Sequence, residues 1–421
     1  MSATPAKSSF WTSFGPGLIW AASSIGVSHL VQSTRAGAMA GFGLAGVILA
    51  ALLFKYPFFE YGARYAAATG TSLVEGYRTI GRWALWLYLA ITALTGVAAT
   101  AAIVMFTSFL LRYALGITWP LPAVAALLLL VCAAILVVGR FRGLDLATKV
   151  ILALLAASTL AAAIAVAPRI ELDSFRLLPG SLVGTVVPFG FLLALVGWMP
   201  SPIDIAVWSS LWTLAKDRST GQRTSVAVAK RDFLIGYLGT AVLAFGFLIL
   251  GATVLHTEGL ELSDQGAVFS TQLIDLYSQS LGAWARPVVM VAAFTTMFST
   301  ALAVVDGFPR AIERTLVNLR AENAESAERL RPGYYWGAMM LLSAVVLLVL
   351  VLFAGSLTVM VDFATIVSFL TAPVLGYLNL TVIRSDRVAP EHRPGPWMTG
   401  LSWLGLLLLG ATGVAYLVTL I

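Results

Sequence analysis

Apolar positions in this chain come in long blocks, with most polar residues gathered in the short stretches between them. A helix needs about 20 mostly apolar residues to cross the hydrocarbon core of a bilayer. Eleven blocks reach that length, over approximately 12–36, 41–67, 83–113, 119–139, 145–167, 182–214, 231–255, 284–308, 333–354, 358–382 and 398–420. The pattern predicts an all-α polytopic membrane protein with eleven transmembrane helices. The stretch from Met1 to Ser9 carries a single Lys and leads straight into a block interrupted by Gly and Ser, so no cleavable signal peptide is expected before the first span.

Composition turns this pattern into an exclusion. Of 421 residues, 59% are hydrophobic and only 11% are charged, against about 25% charged in a soluble domain. So little charge cannot cover so much apolar surface in water, which excludes a soluble enzyme, a nucleic-acid binder and a disordered chain. The net charge of +6 needs no nucleic-acid partner. With the N-terminus in the cytoplasm, 21 of the 26 basic residues, Lys55 and Arg64 among them, fall to inside loops and ends. Arg35, Arg112, Arg169, Arg176 and Arg286 fall outside. That asymmetry is the positive-inside signal, and eleven spans then leave the C-terminus outside. The seventh connection, with Glu258, Glu261, Asp264 and Asp275, is acidic and outer; the run from Arg320 to Arg331 reads as a solvated loop or surface helix. Trp83, Trp86, Trp119 and Trp336 near span ends suit an interfacial belt. The lone Cys132 excludes a disulfide framework.

Two spans carry interruptions. The first holds Ser23, Ser24, Gly26 and Ser28 ahead of His29; the sixth holds Gly197, Pro200 and Pro202 in mid-span. Proline removes a backbone donor and clashes with the preceding turn, so the sixth helix must break. Freed backbone groups inside a bilayer are tolerated only when buried in protein or lining a watery cavity. If each break opens a five-helix unit, residues 1–167 and 168–382 are repeats of opposite direction, and 383–421 adds a loop and an eleventh helix. This inverted 5+5 plan belongs to secondary transporters, with the substrate between the discontinuous helices.

The residues around these breaks resemble the Nramp family of divalent-metal transporters: Gly15-Pro16-Gly17, then Ala36-Gly37-Ala38-Met39-Ala40-Gly41-Phe42, Gly62-Ala63-Arg64 with Thr69-Gly70, the run from Arg140 to Asp145, and Met199-Pro200. The resemblance implies a LeuT-type fold and proton-coupled metal uptake. Its site motifs depart from the family. The family's first-helix Asp-Pro-Gly-Asn falls on Gly26, Val27, Ser28 and His29, and its sixth-helix Met-Pro-His on Met199, Pro200 and Ser201. No acidic residue lies between Glu75 and Asp145, so the family's third-helix carboxylates are missing, and Ser368 and Thr371 stand in the tenth helix where Gln is frequent. Hard divalent ions want carboxylate oxygen, and a dehydrated dication in low dielectric needs compensating charge.

The expected cargo is therefore a small non-metal or organic solute, held by Ser24, Gly26, Ser28, His29, Trp198, Met199, Ser201, Ser368 and Thr371, with no cofactor and no nucleic acid. A manganese- or iron-type symporter using an atypical His29 and Met199 site is the alternative. His29 is also a candidate proton carrier. Asp204 reads either as the N3 acid of a helix capped by Ser201 with Pro202 at the first position, or as a ligand or proton site. Glu60 and Arg64 are four apart and can pair, and Glu60 is also a candidate for proton coupling or a gate; Asp145 after Arg140 and Arg142 suits a hinge or a proton-coupling or gating element, with a plain loop as the alternative, and Asp306 and Asp362 sit at span ends, where either can serve a gate or simply mark the boundary. No repeated filter loop argues for a channel, and no HExxH, GxSxG or intramembrane carboxylate pair argues for an enzyme; a transporter-like sensor remains a further class. The expected location is a bacterial plasma (inner) membrane.

Overall fold

In a computed structural model, residues 15–138, 141–170, 183–322, 331–353 and 356–421 are described. Fifteen α-helices organise them. They are α1 (Pro16–Ser24), α2 (Thr34–Ala40), α3 (Ala45–Thr69), α4 (Leu73–Ile80), α5 (Arg82–Leu115), α6 (Leu121–Val138), α7 (Phe141–Val166) and α8 (Phe189–Gly197). There follow α9 (Ile205–Thr220), α10 (Val226–Leu250), α11 (Gly266–Leu281), α12 (Ala285–Arg320), α13 (Pro332–Leu352), α14 (Leu357–Ile383) and α15 (Pro396–Thr419). Seven helices among the described residues are long and apolar enough to cross a membrane. The chain is an integral membrane protein.

Both interruptions are visible. Between α1 and α2 the chain leaves the α-helix at Ile25 and Gly26 and runs through a π-helical stretch, Ser28–Ser33. Between α8 and α9 it is non-helical from Trp198 to Asp204, where Pro200 and Pro202 lack the amide hydrogen a helix needs. The second π-helical stretch, Gly251–His256, extends α10 and packs on α2. The sequence did not reveal α11; it lies in the acidic connection, whose Asp264 carbonyl accepts from Leu357 N at 3.1 Å and so ties the connection to the start of α14.

The bundle is centred on α5 packed along α12. Around that pair, α3 packs on α9 and α10 on α1, while α5 meets α14 and α12 meets α7. Small residues make these approaches close. A Cβ on Gly62 would lie 2.1 Å from the Ala206 carbonyl of α9, and one on Gly197 would lie 2.1 Å from the Thr365 carbonyl of α14. Only a residue without a side chain lets those backbones meet. Outward faces remain apolar, with Leu130, Ile164, Met340 and Val414 exposed, as lipid contact requires.

Candidate functional site

A cavity of about 30 Å³ lies where the two interruptions meet. Ser24, Gly26 and Ser28 line it from the first break, and Trp198, Ser201 and Pro202 from the second. Ala99 and Ile103 of α5, Thr300 and Phe308 of α12, and Trp208 of α9 close it. Every lining residue is neutral. Its volume admits about two water-sized groups, so a larger occupant needs the helices to part.

The polar groups on this wall are mostly committed. Ser24 Oγ donates to the Trp20 carbonyl at 2.8 Å, and Trp198 Nε1 donates to Ser368 Oγ at 2.8 Å. Thr300 Oγ1 stands 3.3 Å from the Ile25 carbonyl and 3.1 Å from the Thr296 carbonyl, covering a main-chain oxygen at the first break. Trp208 has a buried indole N–H with no partner. At Gly26 the space is taken: a Cβ there would lie 3.0 Å from Thr300 Oγ1 and 3.1 Å from Thr300 Cγ2.

The other expected site residues lie elsewhere. Met199 is fully buried but does not line the cavity, Ser368 stands behind Trp198, and Thr371 Oγ1 bonds back to the Val367 carbonyl at 3.1 Å. His29 is fully buried away from the cavity, with Nδ1 2.7 Å from Ser28 Oγ and Nε2 3.0 Å from the Thr240 carbonyl. A carbonyl only accepts, so Nε2 carries a hydrogen. Ser28 Oγ also stands 2.7 Å from the Ser24 carbonyl. One hydroxyl hydrogen cannot serve both Ser24 O and His29 Nδ1, so the whole chain of bonds is made only when Nδ1 is protonated as well. Among the described residues no group of three or more His, Cys, Asp or Glu side chains is placed to hold a metal.

Three charged residues find partners on other elements. Asp204 is not the third residue of a helix capped by Ser201. It sits at the N-cap of α9 with no side-chain capping bond, and its Oδ2 accepts from Thr95 Oγ1 of α5 at 2.5 Å. From Pro202 the chain first makes tight three-residue turns, Ile205 N donating to the Pro202 carbonyl at 3.3 Å and Ala206 N to the Ile203 carbonyl at 3.0 Å, before α9 begins. Lys55 is no loop residue and leaves the topology tally: it is fully buried in the middle of α3, where its ammonium donates to the carbonyls of Val196, Gly197 and Ser201 at 2.9, 2.9 and 2.8 Å. Arg35, expected at the outer end of the first span, has a partner on another helix. Its Nη1 and Nη2 donate to Asp362 Oδ1 and Oδ2 at 2.6 and 3.0 Å, while Gln32 Nε2 donates to the same carboxylate at 3.0 Å. The Arg35 guanidinium also lies 4.7 Å from the Phe191 ring centre, so this pair joins α2, α8 and α14 across the bundle.

Glu60 and Arg64 pair, with Nε and Nη2 donating to Oε1 at 2.9 and 2.8 Å. Asp306 binds Arg310 Nε and the Tyr335 hydroxyl, both at 2.6 Å. Asp145 falls in α7, but its side chain lies outside the described residues, as do Arg140 and residues 323–330 of the stretch between Arg320 and Arg331. At the end of the bundle opposite Arg35, Glu75 of α4 pairs with Arg314 of α12 and accepts from Asn318 Nδ2 at 3.1 Å. A second cavity of about 530 Å³ opens at that end, lined by Thr71, Asp217, Arg218, Arg223 and Arg314 among others.

Signals for the missed residues existed in part. Lys55 lies inside the second apolar block, where an ionisable residue is costly unless it has a partner. Nothing in the sequence pointed to Thr95, Thr300 or Trp208, whose roles depend on which helices become neighbours.

The family model described as natural resistance-associated macrophage protein-like (Nramp) matches residues 17–419. An uncharacterized protein of Pasteurella multocida (strain Pm70) is 34% identical over 403 residues, covering 95% of this chain and 90% of its own length. Among solved structures, a manganese transporter of Eremococcus coleocola in complex with an aromatic bis-isothiourea substituted compound superposes with a TM-score of 0.76 at 15% identity, over 99% of this chain and 88% of that one. A nucleobase-cation-symport-1 family transporter with bromovinylhydantoin bound gives a TM-score of 0.59 at 17% identity, over 96% and 92% of the two chains. Both likenesses are of fold, and the fold is LeuT-like.

Proposed function

The chain belongs to the Nramp family, and from that premise we propose that it is a secondary-active, alternating-access carrier of a small, neutral, non-metal solute. Its family and structural neighbours are transporters rather than enzymes. One observation carries the choice of cargo: no ionised side chain lines the cavity between the two breaks. Gly26 occupies the position of the family's metal-binding carboxylate, and Thr300 fills the space a side chain there would need. A dication in that cavity would give up its water without receiving charge in return. A compact neutral solute loses less, and Trp198 and Trp208 offer it ring faces and one unpaired N–H donor.

The carrier reading includes eleven spans in two inverted repeats, over 1–167 and 168–382, with the N-terminus in the cytoplasm of a bacterial inner membrane. The packing supports the repeat. Exchanging the first helix with the sixth, half for half, the second with the seventh, and the third with the eighth turns the α3–α9 contact into the α10–α2 contact, which is also made, and keeps α5 on α12. In this reading the Arg35–Asp362 pair closes the outer side, and the 530 Å³ cavity beside Arg314 is the inner vestibule. Protons are the proposed coupling ion, with His29 and Asp204 as the buried titratable groups on the broken helices.

Divalent metal is the second reading, favoured by the fold shared with a manganese transporter. Uptake by purified protein in liposomes separates the two. Non-metal transport predicts no saturable manganese or iron flux, and a thermal-shift screen of small polar metabolites at two pH values should find a stabilising solute. Saturable manganese uptake would sink the non-metal reading. Proton coupling predicts that His29→Ala or Asp204→Asn flattens the pH dependence of flux; an unchanged profile in both excludes it.

A further inference from the structure

The second break is built like a cation site, and a side chain occupies it. Val196 and Gly197 are the last residues of α8, whose terminal carbonyls carry the negative end of the helix dipole; the Val196 carbonyl also accepts from Met199 N at 3.2 Å, which leaves it a second lone pair. Pro200 and Pro202 lack an N–H, so this stretch is poor in donors for those oxygens. Ser201 adds a third carbonyl from beyond the turn. These three oxygens converge at 2.8–2.9 Å on one atom, Lys55 Nζ. An ammonium has three hydrogens, and all three are used.

No carboxylate shares the Lys55 ammonium among its hydrogen bonds. The nearest in sequence to the break, Asp204, receives the Thr95 hydroxyl at 2.5 Å and reaches Lys55 only through its charge, without a hydrogen bond. Lys55 is therefore held by main-chain oxygen, as a bare monovalent cation is held. Unwound carbonyls and half-helix C-terminal ends are what broken transporter helices offer to a coupling cation. Here the charge is delivered from α3 on a covalent tether, and the Phe59 ring, 5.6 Å from Nζ, covers it.

We propose that Lys55 is a built-in cation: its ammonium fills the carbonyl site of the second break, so the protein takes no dissociable alkali cation there. Removing the ammonium vacates a site that a free monovalent cation then fills. The inference extends the carrier reading by identifying what holds the second break together, but it concerns binding and is read without transport.

The test uses full-length protein in nanodiscs, comparing wild type with Lys55→Met and Lys55→Gln. Unfolding midpoints are followed while choline chloride is exchanged for lithium, sodium or potassium chloride at constant ionic strength. Wild type should show no saturable response to any of the three. Lys55→Met should unfold at a lower temperature in choline and regain a few degrees in a saturable way with at least one alkali cation. Lys55→Gln, which can still donate two hydrogens, should lie between. A cross-link with no cationic role predicts the same loss in choline with no recovery, and that outcome overturns the proposal. So does a saturable alkali-cation response of the wild type, a measurement that stands even if neither variant folds. Failure here leaves the carrier reading intact, and absence of flux in liposomes would remove the carrier reading while leaving this result standing.

Discussion

Replacing Gly26 by Ala tests whether packing by Thr300 keeps a side chain out of the first break. Gly26 has no positive φ, so alanine is not excluded by the backbone. Where the backbone permits it, Gly→Ala stabilises by about 0.4–1 kcal/mol, because the unfolded chain loses freedom. Against this stands the contact: the new Cβ would lie 3.0 Å from Thr300 Oγ1 and 3.1 Å from Thr300 Cγ2. Thr300 cannot retreat freely, since it is 3% exposed and its hydroxyl faces the Ile25 and Thr296 carbonyls. Overpacking of this kind costs about 1–3 kcal/mol, which exceeds the entropic gain and leaves a net loss of roughly 0.5–2 kcal/mol. In a Thr300→Ala background both crowding atoms are gone, and the sign should reverse: Ala at 26 becomes neutral or stabilising. The assay is a double-mutant cycle on thermal or denaturant unfolding of the four purified proteins in one detergent. Additive effects, with Gly26→Ala equally harmful in both backgrounds, would refute the argument that Thr300 is what excludes a side chain, and with it part of the case against a metal carboxylate at this position.

Four further outcomes are expected. Thr95→Val should leave the Asp204 carboxylate buried without its hydroxyl donor and lower stability by about 1–3 kcal/mol, whereas Thr95→Ser should restore it; equal losses would mean that the methyl, not the hydroxyl, matters. Glu75→Ala should strand the Arg314 guanidinium and cost about 3–5 kcal/mol, and adding Arg314→Met should recover most of it in the same unfolding assay. Asp362→Asn should loosen the Arg35 end of the bundle, so that a cysteine at Ser24, in a Cys132→Ser background, reacts faster with a membrane-impermeant maleimide than the same cysteine with Asp362 intact; equal rates would show that the pair does not control access. Gly62→Leu should prevent α3 from reaching α9, because even a Cβ would lie 2.1 Å from the Ala206 carbonyl, and the variant should fail to yield monodisperse protein.

What could be read without the structure was whatever depends on neighbours along the chain. Blocks of apolar residues long enough to span a bilayer, the scarcity of charge, prolines that forbid a helix at 200 and 202, and the family resemblance around Ala36–Phe42 are all local in this sense. They were enough to define a helical membrane protein and to direct attention to the two interruptions, where Ser24, Gly26, Ser28, Trp198 and Ser201 do come together around one cavity. The same local view counted Lys55 as topology and, in one of its two readings of Asp204, put that residue one turn too deep in a helix, and it had no means of pairing Arg35 with Asp362. The partners of those residues lie on other helices, 327 positions away in the case of Arg35 and Asp362. Which face of a helix meets which neighbour is set by close backbone approaches such as Gly62 on Ala206 and Gly197 on Thr365. In a nearly uniform apolar helix no hydrophobic stripe marks that face in advance. Tertiary packing alone therefore decided that a lysine inside an apolar block would end on three carbonyls of a broken helix, and that a threonine of another helix would crowd the space beside Gly26.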